Sequence, residues 1–133
     1  MEEIVNRVAR MRFDKEEGIL FIAALPDAVL DLESVEEHFK MISELTGDRD
    51  HYALIDSSNP YACTPEATEY AARPEVLKAR RAAAYFHPNG ANRFQIMQVQ
   101  IKMKASIPSC AFKERDEALL WLKSLNLVQK NSL

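Results

Sequence analysis

Short apolar runs and amphipathic stretches take turns along this sequence, and few architectures accept such a pattern. Met11 and Phe13 alternate with Arg10 and Arg12, a polar turn of Asp14, Lys15, Glu16, Glu17 and Gly18 follows, and residues 19–23 are wholly apolar. That pattern predicts a β-hairpin, although Ile4, Val5, Val8 and Met11 would also suit a helical face. Asp31 then caps a helix on which Leu32, Val35, Phe39, Ile42 and Leu45 recur at threes and fours, and Gly47 ends it. Residues 52–55 form a buried strand ending at Asp56. Thr64, Pro65 and Glu66 have the form of an N-cap, a first-turn proline and an acid on the helix dipole. The helix they open is expected to break near Arg73 and Pro74 and to resume over 75–81. Residues 82–86 and 109–112 read as further strands, and a last helix starts near Arg115 with Ala118, Trp121, Leu122 and Leu125 on one side. A hairpin followed by alternating helices and strands predicts a mixed, mostly parallel sheet of five strands covered by helices.

The segment 92–104 conflicts with itself. Met97, Val99, Ile101 and Met103 alternate with Gln98, Gln100, Lys102 and Lys104 at strand period, while Phe94, Met97 and Ile101 make one helical stripe and Ile96, Val99 and Met103 a second. As a helix, it would lay one apolar face on the sheet and leave the other in need of a partner.

Composition removes several functional classes. The 133 residues suit one domain, expected to span 1–133 with a core of about 8–125, and 47% hydrophobic with 28% charged residues is usual for a globular chain. Only three glycines occur, Gly18, Gly47 and Gly90, too scattered for a dinucleotide fingerprint or a phosphate-cradling loop. Cys63 and Cys110 form no Cys-x-x-Cys pair and no disulfide framework. The amino terminus lacks the apolar core of a signal peptide, and no stretch approaches the ~20 apolar residues of a membrane span. A cytoplasmic location is the expectation.

The net charge of −3 hides an asymmetry. Lys78, Arg80, Arg81, Arg93, Lys102, Lys104 and Lys113 lie in a segment without an acid, and the rest of the chain carries a balance of −10. An anion patch built on Arg80, Arg81, Arg93, Lys102 and Lys104, a self-complementary assembly surface, and plain solvated charge all fit. Nucleic-acid binding does not, because the chain is acidic overall and no recognition motif is present.

Toward the carboxy terminus, Pro108-x-x-x-Phe112, a polar turn and Asp116-Glu117-Ala118-Leu119-x-Trp121-Leu122 resemble the signature of STAS-like bacterial proteins. These share the fold of the anti-sigma-factor antagonists of sporulation. The strand 82–86 followed by Arg93 and Phe94 resembles the penultimate strand and helix of that group, and Leu54-Ile55-Asp56 with its polar loop also fits. The likeness spans about 11–125 and implies that 92–104 is a helix. It implies a non-enzymatic regulatory or protein-interaction domain that binds a protein partner, and the second apolar stripe of 92–104, Ile96, Val99 and Met103, makes a homodimer through that face the expectation. Some relatives are grouped with CRAL-TRIO lipid-binding proteins, which implies the alternative of a carrier or sensor for a small anionic or lipid-like molecule.

In the sporulation antagonists a serine opening the helix after the central strand is phosphorylated, and the added charge blocks docking. Asp56-Ser57-Ser58 resembles that motif, but Asn59-Pro60 follows, and Thr64 stands nearer the switch position. As residues, Ser57 and Ser58 suit turn chemistry and Thr64 an N-cap. The loops after strand ends are where open α/β sheets meet ligands, which makes Asp56, Ser57, Ser58, Asn59, His87 and Asn89 candidates. His38, His51, His87 and the cysteines lack helical ligand spacing, so neither a metal nor a cofactor is expected. His38, one position before Phe39, reads as solvated. A nucleophile pair of Cys63 with a histidine has no surrounding motif, and no enzyme is expected.

Overall fold

The computed structural model describes residues 3–88, 90, 92–103 and 107–131, with the backbone alone for 95, 99, 102, 103 and 126–131. The hairpin forms as its alternation requires, from β2 (Ala9–Asp14) and β3 (Ile19–Ala24). Asp14 organises the turn: its carboxylate accepts from the amides of Glu16 and Glu17, both at 3.1 Å, and its carbonyl accepts from Gly18. Gly18 sits at φ +69°, the left-handed region in which a side chain is strained. A short β1 (Glu3–Val5) adds to the hairpin edge.

From β3 the chain passes through β4 (Ala28–Leu30) into α1 (Leu32–Thr46), which begins on a capping box. The Asp31 carboxylate accepts from the Ser34 amide at 2.8 Å, while the Ser34 hydroxyl accepts from the Asp31 amide at 2.9 Å. Gly47 closes the helix in the left-handed conformation, its amide donating to the Ser43 carbonyl. Next come β5 (His51–Asp56), β6 (Tyr61–Cys63), α2 (Pro65–Ala71), β7 (Arg80–Phe86), α3 (Arg93–Met103), β8 (Ser109–Phe112) and α4 (Arg115–Asn131).

The main sheet has the order β1-β2-β3-β5-β7-β8, and β4 pairs with β6 in a separate two-stranded ladder. Six strands stand where five were expected, because β1 carries a single apolar inward residue, Ile4, too little signal to read as a strand. The sheet is parallel only from β3 to β8 and antiparallel across β1, β2 and β3. The helix expected to resume over 75–81 is a series of turns, and β7 begins at Arg80.

Both faces of the central strands are buried, which is why β5 and β7 read as unbroken apolar runs. On one face Leu20, Ile22, Ala53, Ala83 and Tyr85 pack with Ile42 of α1 and Ile96 of α3. On the other, Ile19, Tyr52, Leu54, Ala82, Ala84 and Phe86 pack with Ala118 and Leu122 of α4. The conflict in 92–104 resolves to a helix whose faces are the reverse of those expected. Ile96 is 2% exposed and belongs to the core, whereas Phe94, Met97 and Ile101 face outward. With apolar residues on both sides, only contact with the sheet selects which stripe turns inward.

Candidate functional site

The site begins with a defect in the sheet. Across β5 and β7, His51 pairs with Arg80 but Tyr52 pairs with Ala82, so Arg81 is an extra residue. A β-bulge re-aims the side chains on either side of it. Strict alternation would put Arg80 on the α4 face with Ala82 and Ala84. The bulge turns it to the opposite face, with Ala83 and Tyr85, under α1 and α2. Arg81 is left in solvent, paired with Asp50.

Arg80 is 7% exposed, and no acidic residue forms an ion pair with it among the described residues. Its guanidinium carbon lies 5.4 Å from the centre of the Phe39 ring, a cation–π contact. Nε and Nη2 are both buried and without a hydrogen-bond partner. Burial lowers the pKa of this arginine, with the neighbouring Tyr85 acting in the opposite direction. A guanidinium pKa is too high for this to remove its charge at neutral pH.

Arg80 lines a cavity of about 100 Å³ between the sheet and helices α1 and α2. Its walls are mostly apolar, including Val8, Ile22, Leu30, Val35, Phe39 and Ile55, and no acid is among them. The polar lining groups are His38, Tyr61, Cys63, Thr68 and Tyr85. Burial pushes the Tyr61 and Tyr85 phenols up, and the Cys63 thiol up to about 11, so all three stay protonated at neutral pH. A thiol held in that state is a poor nucleophile.

His38 is buried, correcting the solvated position expected for it. Val35, His38 and Ile42 share the inward face of α1, while Phe39 is only half-buried at its edge. Burial, and then the charge of Arg80, lower its pKa to about 3. Asn6 fixes its tautomer. The Asn6 Oδ1 accepts from the amides of Val8 and Ala9, so its Nδ2 must be the donor to His38 Nδ1 at 2.9 Å, and the proton sits on Nε2.

One wall depends on Asn92, which the sequence reading did not single out. Asn92 is fully buried, donating from Nδ2 to the carbonyls of Ser57 at 2.8 Å and Asn59 at 2.5 Å and accepting at Oδ1 from the Tyr61 amide at 3.0 Å. This pins the loop between β5 and β6 to the start of α3 and sets Tyr61 against the cavity. Nothing in the local sequence distinguishes Asn92 from a turn residue.

The loop candidates lie near one another but do different things. Ser57 is fully buried, with its hydroxyl beside the Tyr61 phenol. Ser58 donates to the Asp56 carboxylate from its hydroxyl at 2.5 Å and from its amide at 2.9 Å, and the Asn59 side-chain amide donates to the Ala24 carbonyl at 3.0 Å. Thr64 caps α2, accepting from the Ala67 amide at 3.2 Å. The His87 amide donates to the Phe112 carbonyl, and its buried Nδ1 has no partner. Asn89 and Lys104 lie outside the described residues, as do the side chains of Val99, Lys102 and Met103.

Of the residues expected to form an anion patch, the described ones are placed apart: Arg80 is in the core, Arg81 is paired with Asp50, and Arg93 stands exposed at the start of α3. Ile96 is likewise withdrawn from the expected dimer face, since its side chain is packed against the sheet. No cluster of three His, Cys, Asp or Glu residues able to hold a metal lies among the described residues. Among the same residues, no helix is long and apolar enough to cross a membrane.

This architecture is a SpoIIAA-like α/β fold. It is similar, at a TM-score of 0.60, to the crystal structure of an uncharacterized protein of the DUF3478 family with a SpoIIAA-like fold from Shewanella loihica PV-4. The two are 16% identical, and the match covers 92% of this chain and 98% of that one. The chain belongs to the family described as domain of unknown function DUF7793, whose model matches residues 13–126. Among curated proteins, none matches it.

Proposed function

We propose that this chain is a binding domain, not an enzyme, and that it carries or senses a small anionic molecule with an apolar body. The observation that carries this reading is the buried Arg80, which has no counter-charge and opens onto an apolar cavity. An uncompensated buried charge is among the costliest features a core can contain. A ligand that brings the missing negative charge relieves that cost, so the domain gains stability on binding and its state reports on ligand supply. The protonated thiol and phenols around Arg80 suit holding a ligand more than attacking one.

Native mass spectrometry of protein purified from its own cells tests this. A mass above the 15.2 kDa chain that is lost on denaturation is the expected result. Protein that retains nothing, and that no small organic anion stabilises against heat, overturns it.

A second reading is favoured by the outward stripe of α3. Phe94, Met97 and Ile101 are 65%, 47% and 56% exposed, a large apolar surface for one short helix. Docking of a second copy through this stripe would make the domain a homodimeric interaction module, consistent with the SpoIIAA-like fold. Solution mass decides between monomer and dimer.

A further inference from the structure

Arginine offers two ways to hold an oxyanion. One is end-on, through its two terminal nitrogens; the other is side-on, through Nε and the terminal nitrogen that lies on the same edge. In Arg80 the two buried nitrogens without partners are Nε and Nη2, which form the side-on edge. Two parallel N–H donors on one edge match the two oxygens of a carboxylate.

Charge and donor count narrow the choice further. The single buried cation neutralises a single negative charge, and no second basic side chain lines the cavity apart from His38, which burial holds neutral. A phosphate monoester would bring nearly two charges and a third oxygen, leaving an unbalanced charge in an apolar core. The space of about 100 Å³ sets the tail. An apolar cavity of ~150 Å³ takes up the six carbons of benzene, so in proportion this space accepts a compact tail of about four carbons.

We infer that the cavity under the β-bulge is a site for a short-chain aliphatic monocarboxylate, held side-on by Nε and Nη2 of Arg80 with its tail among Val8, Ile22, Val35 and Phe39. This rests on the reading of the domain as a binder of small anions and names the anion.

The test uses the full chain and three probes: isovalerate, its uncharged isostere isovaleramide, and inorganic phosphate. Melting temperature and titration calorimetry are read for the natural chain, Arg80→Met and Arg80→Lys. Isovalerate is expected to bind the natural chain saturably and to raise its melting temperature. Isovaleramide is expected to bind at least tenfold more weakly, phosphate to have no effect, and Arg80→Met to lose the isovalerate response. Arg80→Lys keeps the charge but not the paired edge, and is expected to bind isovalerate at least tenfold more weakly than the natural chain. If the amide binds as well as the acid, or phosphate binds in place of isovalerate, the carboxylate assignment falls while a ligand-binding function stands. If neither these probes nor any other small organic anion binds the natural chain, both fall. The comparison of acid with amide on the natural chain holds even if a variant does not fold.

Discussion

Replacing Asn92 by Ala tests whether the loop between β5 and β6 is held by a side chain instead of by its own backbone. The substitution removes the two bonds donated to the Ser57 and Asn59 carbonyls and the one accepted from the Tyr61 amide. Hydrogen bonds of this kind contribute about 0.5–1.5 kcal/mol each net, and a buried group left without a partner costs about 1–3 kcal/mol. The missing amide leaves room for roughly one water, which can restore some of the three contacts. The expected loss is therefore about 2–4 kcal/mol, a large part of the ~5–15 kcal/mol by which domains are stable. Urea unfolding followed by Trp121 fluorescence and far-ultraviolet circular dichroism would measure it. Asn92→Asp keeps the shape and the acceptor but loses both donors at neutral pH. It is expected to be at least as destabilised at pH 7 and to recover partly in acid, when the carboxyl regains a proton to donate. A loss under about 1 kcal/mol for Asn92→Ala, with an unchanged denaturant slope, would refute the reasoning.

The buried histidine gives the domain a direction of pH dependence. The folded pKa of His38 is lowered from 6.5 to about 3, so below pH 6.5 the unfolded chain binds a proton that the folded one refuses. Stability from this residue is full above pH 6.5, is down by about 2 kcal/mol at pH 5, and goes on falling toward pH 3. Burial lowers the His51 pKa as well, in the same sense, so His38→Gln is expected to flatten the pH dependence of unfolding without abolishing it. The two sides of α3 should respond oppositely to charge. Ile96→Asp puts a carboxylate into the core and is expected to cost about 4 kcal/mol or more in chemical denaturation. Phe94→Asp, on the exposed side, is expected to change stability by less than about 0.5 kcal/mol. If a second copy docks on that side, light scattering should show Phe94→Asp at half the mass of the natural chain.

Much of this fold was legible along the chain because local chemistry determined it. The Asp31 cap, the Gly47 stop, the Thr64-Pro65 helix start and the hairpin turn at Asp14 each satisfy backbone groups from within a few residues. The apolar runs of β5 and β7 signalled strands covered on both faces, which is what a parallel sheet between helices requires. The resemblance of the carboxy-terminal segment placed 92–104 in a helix, and α3 forms there.

The candidate site was not legible, for a physical reason common to its parts. Each depends on which way a side chain points, and non-local contacts decide that. Arg80 read as one of several surface cations because the sequence placed it at the end of a helix over 75–81; only the pairing of β7 with β5 draws it into the strand, and the bulge then sets the face to which it turns. His38 read as solvated beside Phe39, yet the inward arc of α1 runs through Val35, His38 and Ile42. The stripes of α3 were nearly equivalent in hydrophobicity, so periodicity had no basis for turning Ile96 inward and Phe94 outward. Sequence alone determined where the chain turns, caps and alternates, since those preferences act over a few bonds. Tertiary structure alone decided that a cation should be enclosed without a partner, because burial is a property of everything that packs around a residue.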